Sequence, residues 1–101
     1  MRVVFTIRAQ DRLAEIEAFV AEQSPKKAAK LVEKLIKKGE SLDVMPRRGR
    51  VVPEIGSEDV RELIDDVYRI VYRVVGDELV EIITIFDARR EHFPFADVTD
   101  D

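Results

Sequence analysis

The sequence predicts an α+β domain with the element order β-α-α-β-β-β, in which a helical hairpin packs on one face of an antiparallel sheet. Apolar residues recur every three or four positions over residues 9–42, which is helical spacing. Three short stretches rich in β-branched and aromatic residues follow after residue 59. We therefore expect residues 1–96 to form a single domain, and the acidic residues 97–101 to form a short mobile tail.

The N-terminal half is predicted to contain one strand and two helices. Residues 2–7 ("RVVFTI") are β-branched and aromatic, as expected of a short strand. Residues 9–23 place their apolar side chains on one helix face. Ser24 is a typical N-cap and Pro25 a typical first helical residue, so a second helix should begin there and continue to Leu42. The short link between the helices favours an antiparallel hairpin.

The C-terminal half is predicted to contain three strands, over about residues 60–64, 67–74 and 79–86. Residues 65–66 mark the first bend, and Gly76-Asp77 is a good two-residue hairpin turn. If that turn is closed by its two neighbours, Val75 and Glu78, then Arg73 faces Val80, Val71 faces Ile82, and Arg69 faces Thr84.

This register divides the sheet into two faces. The face that the helices should cover carries Tyr68, Ile70, Tyr72, Val74, Leu79, Ile83 and Ile85. The opposite face mixes apolar residues with arginine: Val67, Arg69, Val71, Arg73, Val80, Ile82, Thr84 and Phe86. No further element is predicted to cover it, and an apolar patch fringed by arginine is typical of a partner-binding surface. Alternatively, Arg69 and Arg73 simply solvate an outer face and lay their alkyl chains over the valines.

The charge distribution limits the function classes. Residues 26–50 carry nine Lys or Arg against three acids, a balance of +6, and residues 51–101 carry five against fourteen, a balance of −9. A dedicated nucleic-acid binder is usually basic overall, whereas this chain has a net charge of −4, so sequence-specific nucleic-acid binding is not predicted. No apolar run reaches the roughly 20 residues of a membrane helix, and no signal peptide is recognisable, which favours a cytoplasmic protein.

The sequence contains no recognisable catalytic motif. It has no cysteine and one histidine, His92, and its four glycines are isolated, so we predict neither a metal site nor a cofactor. Five arginines lie in or just after the C-terminal strands: Arg61, Arg69, Arg73, Arg89 and Arg90. Arginine binds carboxylates or phosphates through two parallel hydrogen bonds, but it is a poor base near neutral pH.

Several stretches, taken in order, resemble one family. They are Ala9-x-Asp11-x-Leu13-x-x-Ile16-x-x-Phe19, Ser24-Pro25-x-x-Ala28, Leu42-x-x-x-Pro46-x-x-Gly49-Arg50-x-Val52-Pro53-Glu54, Arg61-Glu62-Leu63, Tyr68-Arg69-Ile70-Val71-Tyr72-Arg73-Val74, and residues 82–90. This set resembles the ParE/RelE superfamily, the toxins of bacterial type II toxin–antitoxin (plasmid-stabilisation) modules. The resemblance implies a helical hairpin on an antiparallel sheet, in agreement with the order derived above.

The resemblance implies one of two activities. RelE-like members cut mRNA in the ribosome with strand arginines, a lysine pair and usually a C-terminal tyrosine, and here Arg61, Arg69 and Arg89 would be the nuclease residues. However, Val60 and Glu62 occupy the lysine positions, and Phe95 stands about where the tyrosine would be. ParE-like members have Arg-Glu-Leu in this strand, lack the nuclease residues, and poison DNA gyrase by binding. The sequence resembles this branch, with one departure at Asp87, where the family often has histidine.

The resemblance therefore implies a ParE-like toxin that inhibits replication by binding DNA gyrase and is neutralised in a complex with a cognate antitoxin. The alternatives are a RelE-like ribosome-dependent endoribonuclease and a degenerate member that retains only antitoxin binding. The residues expected to contact the antitoxin are Val67, Arg69, Val71, Arg73, Val80, Ile82, Phe86 and Arg90. If so, Val71→Asp should weaken antitoxin binding without disturbing the helix-covered face, and Arg61, Arg69 and Arg89 should matter more for function than for folding.

Overall fold

The computed structural model describes residues 1–99, which contain five strands and three α-helices. In chain order these are β1 (Arg2–Phe5), α1 (Ile7–Ala21), α2 (Pro25–Glu40), a short 3-10 helix (Ser41–Asp43), β2 (Arg50–Val51), β3 (Val60–Asp65), β4 (Tyr68–Val75), β5 (Leu79–Asp87) and α3 (Phe95–Thr99). None of the helices in this part of the chain has the length and apolar character needed to cross a membrane.

The helical hairpin forms as predicted, and side-chain caps fix where its helices begin. Thr6 accepts a hydrogen bond from the Ala9 N–H, which starts α1 two residues earlier than the apolar spacing alone indicated. Ser24 accepts one from the Lys27 N–H, and Pro25 is the first residue of α2.

The strands form one mixed sheet in the order β1-β5-β4-β3-β2. The α+β class and the helices packed on the sheet are confirmed. The sheet is not wholly antiparallel, because β1 runs parallel to β5 while the other neighbours are antiparallel. The two-residue strand β2, which pairs with β3 at Glu62 and Arg61, was not predicted.

The predicted register between β4 and β5 is wrong by one residue at the turn. Val75 pairs with Leu79, so the turn contains three residues, and its first, Gly76, has a φ of 58°. A bulge at Ile83 of β5, opposite Val71 and Tyr72, adds a further shift, so that Tyr72 faces Ile82 and Val71 faces Thr84. The observed partners of Arg73 and Arg69 are Glu81 and Phe86.

This register changes which β5 residues face the helices. Val80, Ile82 and Ile85 pack in the core beneath the helical hairpin, with Tyr68, Ile70, Tyr72 and Val74 of β4. Val80 and Ile82, expected on the opposite face, are therefore fully buried under the helices, and Ile83, expected under them, lies on the opposite face.

The expectation that the opposite face is uncovered is also wrong. A second apolar cluster forms there from Val52, Val60, Val71, Ile83, Phe86 and Val98, with Ile55 and Phe93 packed against it. The segment that follows β2 and the C-terminal segment supply the cover that the sequence did not reveal. Val71 is fully buried and Phe86 is 2% exposed.

The C-terminal segment is folded at least as far as Thr99, so the predicted tail does not begin at Asp97. The Asp97 carboxylate accepts hydrogen bonds from Arg12 Nε at 2.8 Å and from Thr84 Oγ1 at 2.9 Å, and it lies 3.4 Å from Arg8 Nε. Val98 is 2% exposed. The last two residues of the predicted tail, Asp100 and Asp101, lie outside the described residues.

Candidate functional site

The face of the sheet opposite the helical hairpin carries a network of two arginines and two glutamates. Arg69 of β4 donates from Nε to Glu62 Oε1 at 2.5 Å, and from its two terminal nitrogens to the carboxylate of Glu54 at 2.7 and 2.8 Å. The second oxygen of Glu62 accepts from Arg50 Nε at 2.6 Å. The Glu62 side chain is fully buried and that of Arg69 is 12% exposed. Both partners of Arg69 are thus carboxylates of the same chain.

These contacts stabilise the ionised forms of Glu54 and Arg69. The paired hydrogen bonds from Arg69 lower the pKa of Glu54 to about 2. The same hydrogen bonds raise the pKa of the Arg69 guanidinium above its ordinary value. Glu54 and Arg69 are therefore both ionised at neutral pH, and neither is poised to exchange a proton.

Two aromatic rings hold the guanidinium of Arg69 from other directions. Its Cζ lies 5.3 Å from the centroid of the Phe86 ring and 5.2 Å from that of Phe93, at cation–π distance. The two rings meet edge to face with their centroids 5.7 Å apart. Arg69 is therefore restrained by ion pairs and by stacking.

The other two arginines of the nuclease alternative are also engaged by groups of this chain. Arg61 donates to the backbone oxygens of Glu58, Arg47 and Gly49 and pairs with the Glu58 carboxylate at 2.8 Å. Arg89 pairs with Asp87 at 3.0 Å. The hydrogen bond from Arg89 is the main cause that lowers the pKa of Asp87, whose role the sequence left open. In this structure Asp87 neutralises Arg89.

The positions at which the nuclease alternative expects a lysine pair and a tyrosine are occupied by Val60, Glu62 and Phe95. Val60 is buried in the second apolar cluster, Glu62 is committed to two arginines, and Phe95 is half exposed. His92 is exposed. Within residues 1–99, no group of three His, Cys, Asp or Glu side chains could hold a metal ion.

The eight residues expected to bind a partner fall into two sets. Val71, Val80, Ile82 and Phe86 are buried, so they form no surface of this chain. Val67, Arg69 and Arg73 are partly exposed and Arg90 is exposed. The apolar patch inferred from the sequence is therefore not present, although part of its cationic fringe is.

A groove of about 240 Å³ lies between α1 and the segment around the end of β5. Its apolar lining consists of the 45%-exposed ring of Phe19 and the buried residues Ile16, Ile85 and Phe86, and its charged lining consists of Arg12, Glu15, Asp87, Arg90 and Glu91. Arg90 stacks on the Phe19 ring with its Cζ 3.4 Å from the centroid, and it forms no ion pair within the described part of the chain. The groove thus combines one exposed aromatic ring with a cation that has no carboxylate partner among residues 1–99.

Sequence reasoning missed the carboxylates that neutralise the arginines. A signal was present, since the turn at Asp66 and Val67 pairs Asp65 with Tyr68 and places Glu62 opposite Val71, on the same face as Arg69. Glu54 could not be found in this way, because it lies in a loop whose path has no periodicity.

Comparisons with known proteins agree with this architecture. Residues 3–92 match the family described as the ParE toxin of the type II toxin–antitoxin system, parDE. Nine chains among solved structures match, and one of them, described as the chromosomal ParDE TA system from P. aeruginosa, is 24% identical with a TM-score of 0.71. The match covers 86% of this chain and 95% of that chain, and at this identity it shows the fold. No curated protein matches significantly.

Proposed function

The chain belongs to the ParE toxin family of type II toxin–antitoxin systems, and from this premise we propose that it acts by binding DNA gyrase and blocking replication. It is the toxin component of such a module, which implies an antitoxin as its partner. A cytoplasmic location is part of the proposal, since the proposed target acts on DNA.

The observation that supports binding over RNA cleavage is that the arginines already pair with carboxylates of this chain. A scissile phosphate would have to displace Glu54 from Arg69 and then sit beside the buried charge of Glu62. Cleavage also needs a group that can accept or donate a proton near neutral pH, and neither Arg69 nor Glu54 is such a group. Binding to a protein surface requires neither.

The proposal predicts that the purified toxin inhibits the supercoiling of relaxed plasmid by gyrase, and that premixing it with the antitoxin encoded beside it restores supercoiling. Induction in cells should cause filamentation and the DNA-damage response, because blocked replication leaves damaged forks. Mapping transcript 5′ ends after induction is the matching control. Cleavage at codon positions would establish the RelE-like alternative, and the absence of both effects would indicate a degenerate member that only binds antitoxin.

We also propose that the antitoxin uses the groove beside Arg90, because it offers an exposed aromatic ring and an accessible cation. An apolar side chain of the antitoxin would pack against Phe19, and a neighbouring acid would pair with Arg90. Of the residues first expected to bind the antitoxin, Arg90 is the one that fits this role best.

Reversing the charge of this groove should weaken the complex. We expect Arg90→Glu to raise the Kd for the C-terminal segment of the neighbouring antitoxin at least tenfold, about 1.4 kcal/mol, measured by isothermal titration calorimetry. Arg2→Glu is the matched control, because Arg2 is also exposed but lies on the edge strand β1, and its effect should stay within twofold. Equal losses for the two variants would mean that general charge attraction, and not this groove, governs binding.

A further inference from the structure

The loop between α2 and β2 presents two adjacent apolar side chains to solvent. Val44 is 80% exposed and Met45 is 61% exposed, and we call this pair the apolar tip. Residues in loops of this kind are usually polar, because an exposed apolar side chain gains nothing from folding. Adjacent exposed apolar residues on a small protein are a feature of binding sites.

The apolar tip is held in place from both sides. Leu42, just before it, is fully buried, and the Asp43 carbonyl accepts a hydrogen bond from the N-terminal amine at 2.6 Å. After it, the Arg48 N–H donates to the Met45 carbonyl, which closes a turn. The tip is therefore presented by a fixed turn, which lowers the entropy lost on binding.

Gly49 anchors the far end of this loop against the sheet. Its N–H donates to the Tyr72 hydroxyl at 3.0 Å, and a Cβ at this position would lie 2.5 Å from the Glu62 carbonyl oxygen. Only glycine permits so close an approach. Arg61 adds a hydrogen bond to the Gly49 carbonyl at 3.0 Å.

The chain on either side of the apolar tip is basic. Residues 37–50 carry five Lys or Arg against two acids, a balance of +3, although the rest of the chain is strongly acidic. Lys37, Lys38, Arg47 and Arg50 pair with acids outside this stretch, namely Glu33, Asp65, Asp59 and Glu62. Arg48 is exposed and forms no ion pair within residues 1–99. A partner that accepts this region is therefore expected to place acidic groups near Arg48, beside an apolar pocket.

From these observations we propose that the apolar tip is the part of the toxin that inserts into its target enzyme, at an apolar pocket with an acidic rim. The inference rests on the proposed function, and it names the surface that would perform it. A projecting, fixed side-chain pair needs a concave site on a folded partner. An antitoxin segment that folds only on binding has no such pocket of its own, so it is the less suitable occupant.

The test is the double variant Val44→Ser with Met45→Ser, compared with Ile7→Ser as a control. Ile7 is 75% exposed and lies at the start of α1, so both proteins lose exposed apolar surface and neither loses a core contact. We expect the concentration that half-inhibits gyrase supercoiling to rise at least tenfold for the double variant and less than twofold for Ile7→Ser. Antitoxin affinity and the thermal midpoint should stay close to those of the wild type in both.

The acidic rim is tested separately with Arg48→Glu, which should also weaken inhibition, and more so at low salt. If the serine double variant inhibited gyrase as well as the wild type does, the inference would be wrong. If the double variant lost inhibition but Arg48→Glu kept it, the pocket would have no acidic rim. A wild-type toxin that leaves gyrase active would instead refute the proposed function, and the inference with it. The two failures are therefore distinguishable.

Discussion

Replacing Val71 with aspartate is expected to unfold the protein. Val71 is fully buried on the second face of the sheet, in one apolar cluster with Val52, Val60, Ile83 and Val98. A carboxylate placed there has no cation within the apolar cluster, and burying an unpaired charge costs more than about 4 kcal/mol. Domains of this size are stable by about 5–15 kcal/mol, so most or all of that margin would be lost.

Val75→Asp is the matched control, since Val75 lies on the same strand but is 40% exposed. It should cost about 1 kcal/mol or less, because its carboxylate remains in water. Far-UV circular dichroism and urea titration would compare the two. If Val71→Asp melts like the wild type, then Val71 reaches solvent, and the C-terminal segment does not cover this face as the structure shows.

This expectation reverses the one drawn from the sequence, where Val71→Asp was expected to weaken antitoxin binding and spare the fold. The alternation of β4 was interpreted correctly, because Tyr68, Ile70, Tyr72 and Val74 do face the helices. What the alternation could not show is whether another segment covers the second face. The cover consists of short apolar pieces with no period, such as Val52 and Val98, within stretches that resemble loop and tail.

The error on β5 has a different physical cause. Residues 79–86 (LVEIITIF) are apolar at nearly every position, so their sequence does not mark which of them face the helices, and a bulge opposite Val71 and Tyr72 and a three-residue turn shift the pairing. A one-residue shift moves every side chain to the other face of a strand, so a small error at the turn misplaced Val80, Ile82 and Ile83. The helices were predicted well because their apolar spacing and the cap at Ser24 are local signals, whereas the cap at Thr6 lies within the predicted first strand and was not anticipated. The parallel pairing of β1 with β5 depends on the whole chain path, so no local signal marks it.

At the candidate site, too, the positions of the arginines could be predicted from the sequence but their contacts could not. Their positions in the strands were evident from the sequence, and three of them were expected to serve function more than folding. The structure indicates otherwise for Arg69, because a fully buried glutamate and a loop glutamate both depend on it. The type and position of the arginines therefore predicted a cationic face. The carboxylates that neutralise it come from β3 and from the loop before β3, so they were not predicted.

Removing the Arg69 side chain is accordingly expected to destabilise the domain by about 3 kcal/mol, because Glu62 would keep only its bond to Arg50 and would lie partly uncompensated in a dry site. For a chain of this size the thermal midpoint should fall by roughly 15 °C. Glu54 would also lose both of its hydrogen bonds. Thermal melting of Arg69→Ala at pH 7 is the measurement.

Arg89→Ala provides the control, since Arg89 also pairs with an acid but is 67% exposed, and its loss should leave the thermal midpoint close to that of the wild type. Adding Glu62→Gln to Arg69→Ala should recover part of the lost stability, because the amide removes the buried charge that Arg69 had compensated. If Arg69→Ala and Arg89→Ala had the same thermal midpoint, the Arg69 network would contribute no more to stability than a surface ion pair does. Arg69 would then be free to bind an anion, and the argument against RNA cleavage would lose its main support.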